Sequence, residues 1–323
     1  MTGFSCNNNC VMCSTRPKAK NYPDRPTEEI IKDLRKGRKE GYLRAEFTGG
    51  EPAIRPDILD LIKIAKGLGY KEVALSTNAR MFSYNSFCQK AIKNGLTRVT
   101  FTLNAPNYRL GDAICRTPGA FEQTLQGVKN ILEHPQITIS ANTVVFQLNY
   151  QYLCQIGEFI NNLGIKTWNI LDLIPDGYAK DFYQRLTVKV VDLSLKLGGL
   201  KNIIKNFQVV SFFDFPLCLF TPTLRESPFT NFITAQGRVE IEKQIGYQPK
   251  RFEVSSDNFY EDIHKQRIEI CQKCKFFQSC GGIWKDYLNL YGTKEIEYLA
   301  IKHKCLSKSS LTNCSSKLWT RSL

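Results

Sequence analysis

From residue 27 to about residue 200 this chain alternates short β-branched runs with longer segments of helical period, and that alternation constrains the fold more than any other feature. PTEEIIKDLRKGRKEG (26–41) reads as a helix, with Pro26 and Thr27 at its entry, Glu28 and Glu29 in its first turn and Gly41 beyond its end. LRAEFTGG (43–50) reads as a strand, DILDLIKIAKGLG (57–69) as a helix and EVALSTNA (72–79) as a strand. The same order repeats through NSFCQKAIKNG, TRVTFTLN, GAFEQTLQGVKNILEH, ITISANTVVF, YQYLCQIGEFINNLG and TWNILDLIP.

A βα unit repeated about six times with short crossovers calls for a parallel sheet covered by helices. Successive right-handed units close or partly close into a barrel whose reactive face lies at the C-terminal ends of the strands. The division expected is a barrel core over residues 1–205, a cysteine-rich region over 206–300 and a frayed, basic, Ser/Lys-rich tail over 301–323. FQVVSFFDF (207–215) resembles one more strand, after which the pattern loses regularity.

The chain has 323 residues, enough for one large core plus a smaller appendage. No apolar run approaches the roughly 18 residues a membrane span needs, and the N-terminus lacks the order of a signal peptide, so a cytoplasmic location is expected. The formal charge is +14, but the basic residues are scattered through 16–26, 35–44, 247–251 and the tail. Nucleic-acid binding therefore ranks below a solvated basic surface.

Twelve cysteines are many for a compartment where disulfides are rare, which directs attention to metal. Cys88, Cys115 and Cys154 lie singly in apolar-periodic segments and read as buried small hydrophobes. Two groups remain. CNNNCVMC carries Cys6, Cys10 and Cys13 in a C-x3-C-x2-C spacing with no fourth ligand nearby; the second group is Cys271, Cys274 and Cys280. A four-iron cube offers four corners, so three thiolates leave one iron open to an exogenous ligand. A structural zinc site is the competing reading, although it wants four closed ligands.

C-x3-C-x2-C resembles the signature of the radical S-adenosylmethionine (radical SAM) superfamily, and FTGGEP (47–52) resembles that superfamily's methionine-binding motif. The resemblance covers about residues 4–200. It implies a partial (β/α)6 TIM-like barrel, a [4Fe-4S] cluster on Cys6, Cys10 and Cys13, and S-adenosylmethionine chelated at the open iron. It further implies that Gly49, Gly50, Glu51 and Pro52 meet the methionine moiety; glycines let backbone approach a ligand, and Glu51 can accept from an ammonium. By the same resemblance Ser76, Thr77 and Asn78 are polar strand-end residues near the cofactor. Thr102, Asn104 and Asn142 correspond to ribose contacts and the backbone around Leu173 to an adenine contact. Two departures are plain: Met12 stands where an aromatic residue is common, and only MTGFS precedes Cys6. Either the chain lacks residues upstream or its first strand is a stub.

CQKCKFFQSCGG, with Cys218 from FPLC upstream, resembles a shortened SPASM/Twitch extension. On that reading Cys218, Cys271, Cys274 and Cys280 hold a second [4Fe-4S] cluster; zinc on the same four is the alternative, and Cys305 a substitute ligand. Trp284 occupies the position of a further cysteine in the full pattern. The implied activity is reductive cleavage of S-adenosylmethionine to a 5′-deoxyadenosyl radical that takes hydrogen from a substrate, with a peptide or protein side chain favoured. A small molecule such as a sugar, nucleotide or cofactor precursor comes second, RNA third, and a non-catalytic iron–sulfur or zinc module is the different class. A one-electron reductant such as flavodoxin or ferredoxin is the implied partner.

Overall fold

The computed structural model describes residues 1–233 and 264–306. The outer part of the tail, 307–323, and residues 234–263 lie outside the described residues. Seven strands form one parallel sheet: β1 (Arg44–Phe47), β2 (Glu72–Thr77), β3 (Arg98–Thr102), β4 (Thr138–Val144), β5 (Thr167–Leu171), β6 (Val209–Phe213) and β7 (Thr230–Ile233). Their order in the sheet is their order in the chain. Right-handed crossovers in unbroken succession put the helices on one face and leave the other as an inner wall, the arrangement of a partial TIM-like barrel.

The main crossovers are α1 (Thr27–Lys39), α2 (Ile58–Gly67), α3 (Asn85–Lys93), α4 (Tyr108–Cys115), α5 (Ala120–Leu132) and α6 (Leu153–Asn162). After β5 come the short α7 (Tyr178–Asp181) and α8 (Tyr183–Leu186), then α9 (Val190–Gly199), and α10 (Pro222–Arg225) joins β6 to β7. The alternation of the strands explains the two faces. Val73, Leu75, Val99, Phe101, Ala141, Trp168 and Ile170 are buried against helices. The register sets Ser76, Thr100 and Ser140 in one row of the opposite face and Thr102, Asn142, Asn169 and Ser211 in the next. These rows are knit by hydrogen bonds: Thr100 and Ser140 hydroxyls at 3.0 Å, and Asn169 Nδ2 donating to Asn142 Oδ1 at 2.8 Å.

The sheet continues past residue 205, since β6 and β7 both lie beyond it. TNFI, the core of β7, gives no alternation long enough to read as a strand; its pairing with β6 forms it. The cysteine-rich region adds the two-residue strands β8 (Lys265–Gln266) and β9 (Ile283–Trp284), paired antiparallel, and the helices α11 (Lys285–Tyr291) and α12 (Lys294–Lys302). Cys88 is buried, as its periodic position implies. No described helix is long and apolar enough to cross a membrane.

Candidate functional site

The CNNNCVMC loop touches residues just beyond the C-terminal ends of several strands. Residues 2–5 run beside the segment after β1: Thr2 N donates to Thr48 O (2.7 Å), Gly50 N to Gly3 O (2.9 Å) and Glu51 N to Ser5 O (2.7 Å). The stub before Cys6 is thus laddered to the sheet's edge without forming a strand. This contact also explains the glycine pair. A Cβ on Gly50 would lie 2.1 Å from Ser5 O, and one on Gly49, at φ +142°, would lie 2.4 Å from Gly3 O. The close backbone approach that GG permits is, in this structure, the chain's own.

Beyond β2, Asn78 Nδ2 donates to Asn7 Oδ1 at 2.7 Å. Asn9 N and Val11 N donate to Cys115 O and Ile114 O at the end of α4, at 3.0 and 2.9 Å. Beyond β5, Tyr178 N donates to Cys13 O at 3.0 Å. The loop therefore lies across the mouth of the barrel, where the polar rows of the inner wall emerge. Met12 is buried in the core cluster that includes Leu173 and Phe146.

Glu51 is 3% exposed, and its carboxylate accepts from Ala53 N (2.9 Å), Thr77 Oγ1 (2.6 Å) and Asn78 N (2.6 Å). Burial raises its pKa against those three donors. It locks the turn after β1 to the end of β2, using three of about four acceptor positions. Pro52 begins the short helix that Glu51 caps. Ser76 Oγ donates to Glu46 Oε1 at 2.6 Å on the inner wall, and Thr102 is exposed there. Asn104 is buried, its Oδ1 accepting from Val144 N at 2.9 Å. Leu173 is buried, with its N–H donating to Asp172 Oδ1 at 2.9 Å.

The three thiols share one environment. Burial is the main force raising the Cys6 pKa to about 12; the amide of Asn8, 3.3 Å from its sulfur, opposes it, and Cys10 and Cys13 add to it. Cys10 is held well above its usual range first by its hydrogen bond to the Cys115 thiol. Arg16 N donates to Cys13 Sγ at 3.1 Å. Among the described residues no three His, Cys, Asp or Glu side chains are gathered tightly enough for one metal ion. The fit to judge is therefore to a polynuclear cluster, whose thiolates stand farther apart than those around one ion. Backbone N–H groups directed at two of the sulfurs suit an anionic cluster of that kind.

Cys218 lies on the short helix Leu217–Leu219 after β6, at the same end of the barrel. It lines one cavity with Cys271, Cys274 and Cys280. Burial raises its thiol well above the usual range, and those same three cysteines add to the effect. Cys305 is fully buried beside them: its thiol bonds to Cys274, which this contact pulls down to about 6. Burial pushes Asp172, just beyond β5, up to about 6. Its Oδ2 accepts from Trp284 Nε1 at 2.9 Å, and buried Lys265 donates to Asp214 O at 2.7 Å, so the second cysteine region is docked on the barrel mouth. Asp172, Arg80 and Arg116 were not legible in the sequence, since each stands far from the cysteines in the chain; Cys115 and Cys154, expected to be buried hydrophobes, are only half-buried, and Cys115 bonds to Cys10.

Residues 2–160 match the profile of the radical SAM superfamily. The N-terminal part of the chain is thus a domain of that superfamily. Radical SAM proteins bind a [4Fe-4S] cluster and S-adenosylmethionine. It is 32% identical over 176 residues to an AdoMet-dependent heme synthase of Oleidesulfovibrio alaskensis, covering 54% of this chain and 45% of that one. The chain thus spans under half the length of that relative. A probable GTP 3′,8-cyclase of Saccharolobus solfataricus is 24% identical over 274 residues, 84% of this chain and 87% of that one. Among solved structures, anSMEcpe with bound AdoMet and Kp18Cys peptide has a TM-score of 0.59 at 13% identity, covering 93% of this chain and 95% of that one. Streptococcus suis SuiB bound to precursor peptide SuiA has a TM-score of 0.52 at 15% identity, covering 80% and 52%. At those identities the likeness is one of fold.

Proposed function

We propose that this chain is a radical SAM enzyme acting on a polypeptide side chain, with Cys6, Cys10 and Cys13 holding the cluster that binds S-adenosylmethionine and Cys218, Cys271, Cys274 and Cys280 holding a second cluster. The observation that carries the reading is the convergence of both cysteine groups on one end of the barrel, over its polar inner wall. When bound and reduced, the cluster supplies the electron that splits S-adenosylmethionine into methionine and a 5′-deoxyadenosyl radical, which takes hydrogen from substrate. The chain's part is to bind, orient and shield. Thr102, Asn142 and Asn169 line the mouth with donors and acceptors for the adenosine and the substrate. Gly49 and Gly50 keep the cysteine loop close against the sheet's edge, and Leu173 and Met12 supply apolar surface beside it.

The peptide reading is supported by the extent of the likeness to anSMEcpe, which takes in nearly all of both chains and whose structure holds a peptide. A nucleotide substrate is the second reading, favoured by similarity to a probable GTP 3′,8-cyclase over most of the chain. The test is anaerobic. The reconstituted protein, given a one-electron reductant such as flavodoxin and S-adenosylmethionine, is expected to carry about eight iron atoms and to release 5′-deoxyadenosine. A precursor peptide encoded beside the enzyme should accelerate that release and GTP should not. Acceleration by GTP alone overturns the peptide reading; about four iron atoms plus one zinc overturns the second cluster.

A further inference from the structure

Four carbonyl oxygens of the CNNNC segment accept hydrogen bonds from arginine side chains on three different elements. Arg16, in the short helix after Cys13, donates from Nη1 to Cys6 O at 3.1 Å. Arg80, in the short helix after β2, donates from Nη1 to Asn7 O at 2.5 Å and Asn8 Oδ1 at 2.8 Å. Arg116, at the end of α4, donates from Nε to Asn9 O at 2.5 Å and from Nη2 to Cys10 O at 3.4 Å. With these carbonyls drawn outward, the amides of Asn8 and Arg16 face the sulfurs of Cys6 and Cys13.

The backbone is bent to make this possible. Only four non-glycine residues among those described have positive φ, and two are here: Ala79 at +62°, just before Arg80, and Arg116 itself at +49°. Such conformations are strained for residues with a Cβ and persist where surroundings enforce them. The side chains are held as well. Arg80 Nε donates to Gln123 Oε1 at 2.7 Å, and the Arg116 guanidinium lies 4.8 Å from the centre of the Tyr178 ring. Among the described residues none of the three is in an ion pair. Glu51 lies within electrostatic reach of Arg80 but accepts its hydrogen bonds from Ala53, Thr77 and Asn78, and Asp112 accepts from Gly119 N and Phe121 N at 2.7 and 2.9 Å.

We propose that Arg16, Arg80 and Arg116 form a clamp that shapes the cysteine loop and raises the reduction potential of the cluster held there. The proposal rests on the reading that Cys6, Cys10 and Cys13 hold that cluster. A cluster on three thiolates gains negative charge when it is reduced. Positive charges within a residue of its ligands, in no ion pair among the described residues, half-buried at Arg16 and Arg80 and exposed at Arg116, favour that added electron. The arginines act through the loop and are positioning residues.

The experiment is a redox titration followed by electron paramagnetic resonance, on reconstituted full-length protein without S-adenosylmethionine. To isolate the first cluster, it is run in a Cys274→Ala background as well as in the parent. R80Q/R116Q is expected to move the midpoint negative, so that at the parent's midpoint the ratio of reduced to oxidised cluster falls about tenfold, 59 mV for one electron. R80K/R116K should recover most of that shift while losing iron to a chelator faster than the parent, because Lys keeps the charge but lacks the fork. The single variant R16Q should give a smaller shift in the same direction. Unchanged midpoints in glutamine variants that hold full iron would overturn the proposal, as would equal behaviour of Lys and Gln variants in every readout. Maleimide labelling of the metal-free chain separates the two failures. Faster labelling of Cys6 in R80Q/R116Q supports the clamp as the former of the loop even if the parent takes up no iron, the result that would sink the cluster reading instead.

Discussion

The two cysteine groups solve one problem by different routes. Cys6, Cys10 and Cys13 sit on a single eight-residue stretch whose shape is imposed by hydrogen bonds from outside. Cys218, Cys271, Cys274 and Cys280 come from segments more than fifty residues apart, and packing creates the cavity that gathers them. Arginine recurs in both. Arg225 donates to the carbonyls of Leu217, Phe220 and His303 around the second group, and Arg267 Nη2 to Cys280 O at 2.9 Å. The first group is thus one local motif with tertiary support, whereas the second is a local motif of three cysteines that packing completes with the distant Cys218.

The largest expected effect tests that division of labour. Cys13→Ala should abolish 5′-deoxyadenosine formation, a loss of at least about a thousandfold for a step no side chain can replace, and halve the iron. Cys274→Ala should also halve the iron yet still yield 5′-deoxyadenosine when reductant is supplied, while product from substrate falls. If Cys274→Ala stops cleavage as completely as Cys13→Ala, the two groups are not separable.

Next in size are two glycines that hold the groups to their supports. In G50A the new methyl meets Ser5 O; in G282A, at φ +90°, it meets Gln266 O at 2.8 Å and strains the backbone. Overpacking of this kind costs about 1–3 kcal/mol. Iron analysis with spectroscopy should show G50A losing the first cluster and G282A the second. Loss of both from either variant would mean the regions are one cooperative unit.

The link between the regions has its own pH signature. Asp172 stands at about 6, mainly through burial, while Lys265 and the Trp284 N–H pull the other way. Its folded pKa exceeds the unfolded one of about 3.9, so the folded chain holds this proton between those values. The stability that gives is fully present below pH 4 and is lost as pH rises through 6. Chemical denaturation of the parent should therefore show stability falling by about 3 kcal/mol from this group as pH rises from below 4 to 7. D172N should start lower, because an amide turns a donor toward Trp284 or Leu173, but should lack that fall. An equal slope in D172N would remove Asp172 as the coupling.

What was legible follows from where the determinants lie. Alternation wrote β1 to β6 into the sequence because each strand buries one face against helices. β7 was not legible, since TNFI owes its conformation to β6. C-x3-C-x2-C was legible because one loop carries it. The arginines and Asp172 were not, because their partners are 10 to 112 residues away. Gly50 was legible as a close approach, but the sequence could not say that Ser5 was what approached.

The smallest effect is the most pointed test of the first group's independence. Lys18 Nζ meets Asp176 Oδ2 at 2.7 Å, tying the helix after Cys13 to the turn beyond β5, with the two side chains 34% and 24% exposed. Partly exposed pairs of this kind are worth at most about 1 kcal/mol and weaken with salt. Backbone already holds the same junction: Tyr178 N donates to Cys13 O at 3.0 Å, and Gly177 lies so close that a Cβ there would be 2.5 Å from Ser14 O. Lys18→Ala should therefore lower stability by about 0.5 kcal/mol at low salt and by less in 1 M salt, with iron content unchanged. If it strips the first cluster, the loop depends on this distant contact as fully as the second group depends on its packing, and the contrast between the two collapses.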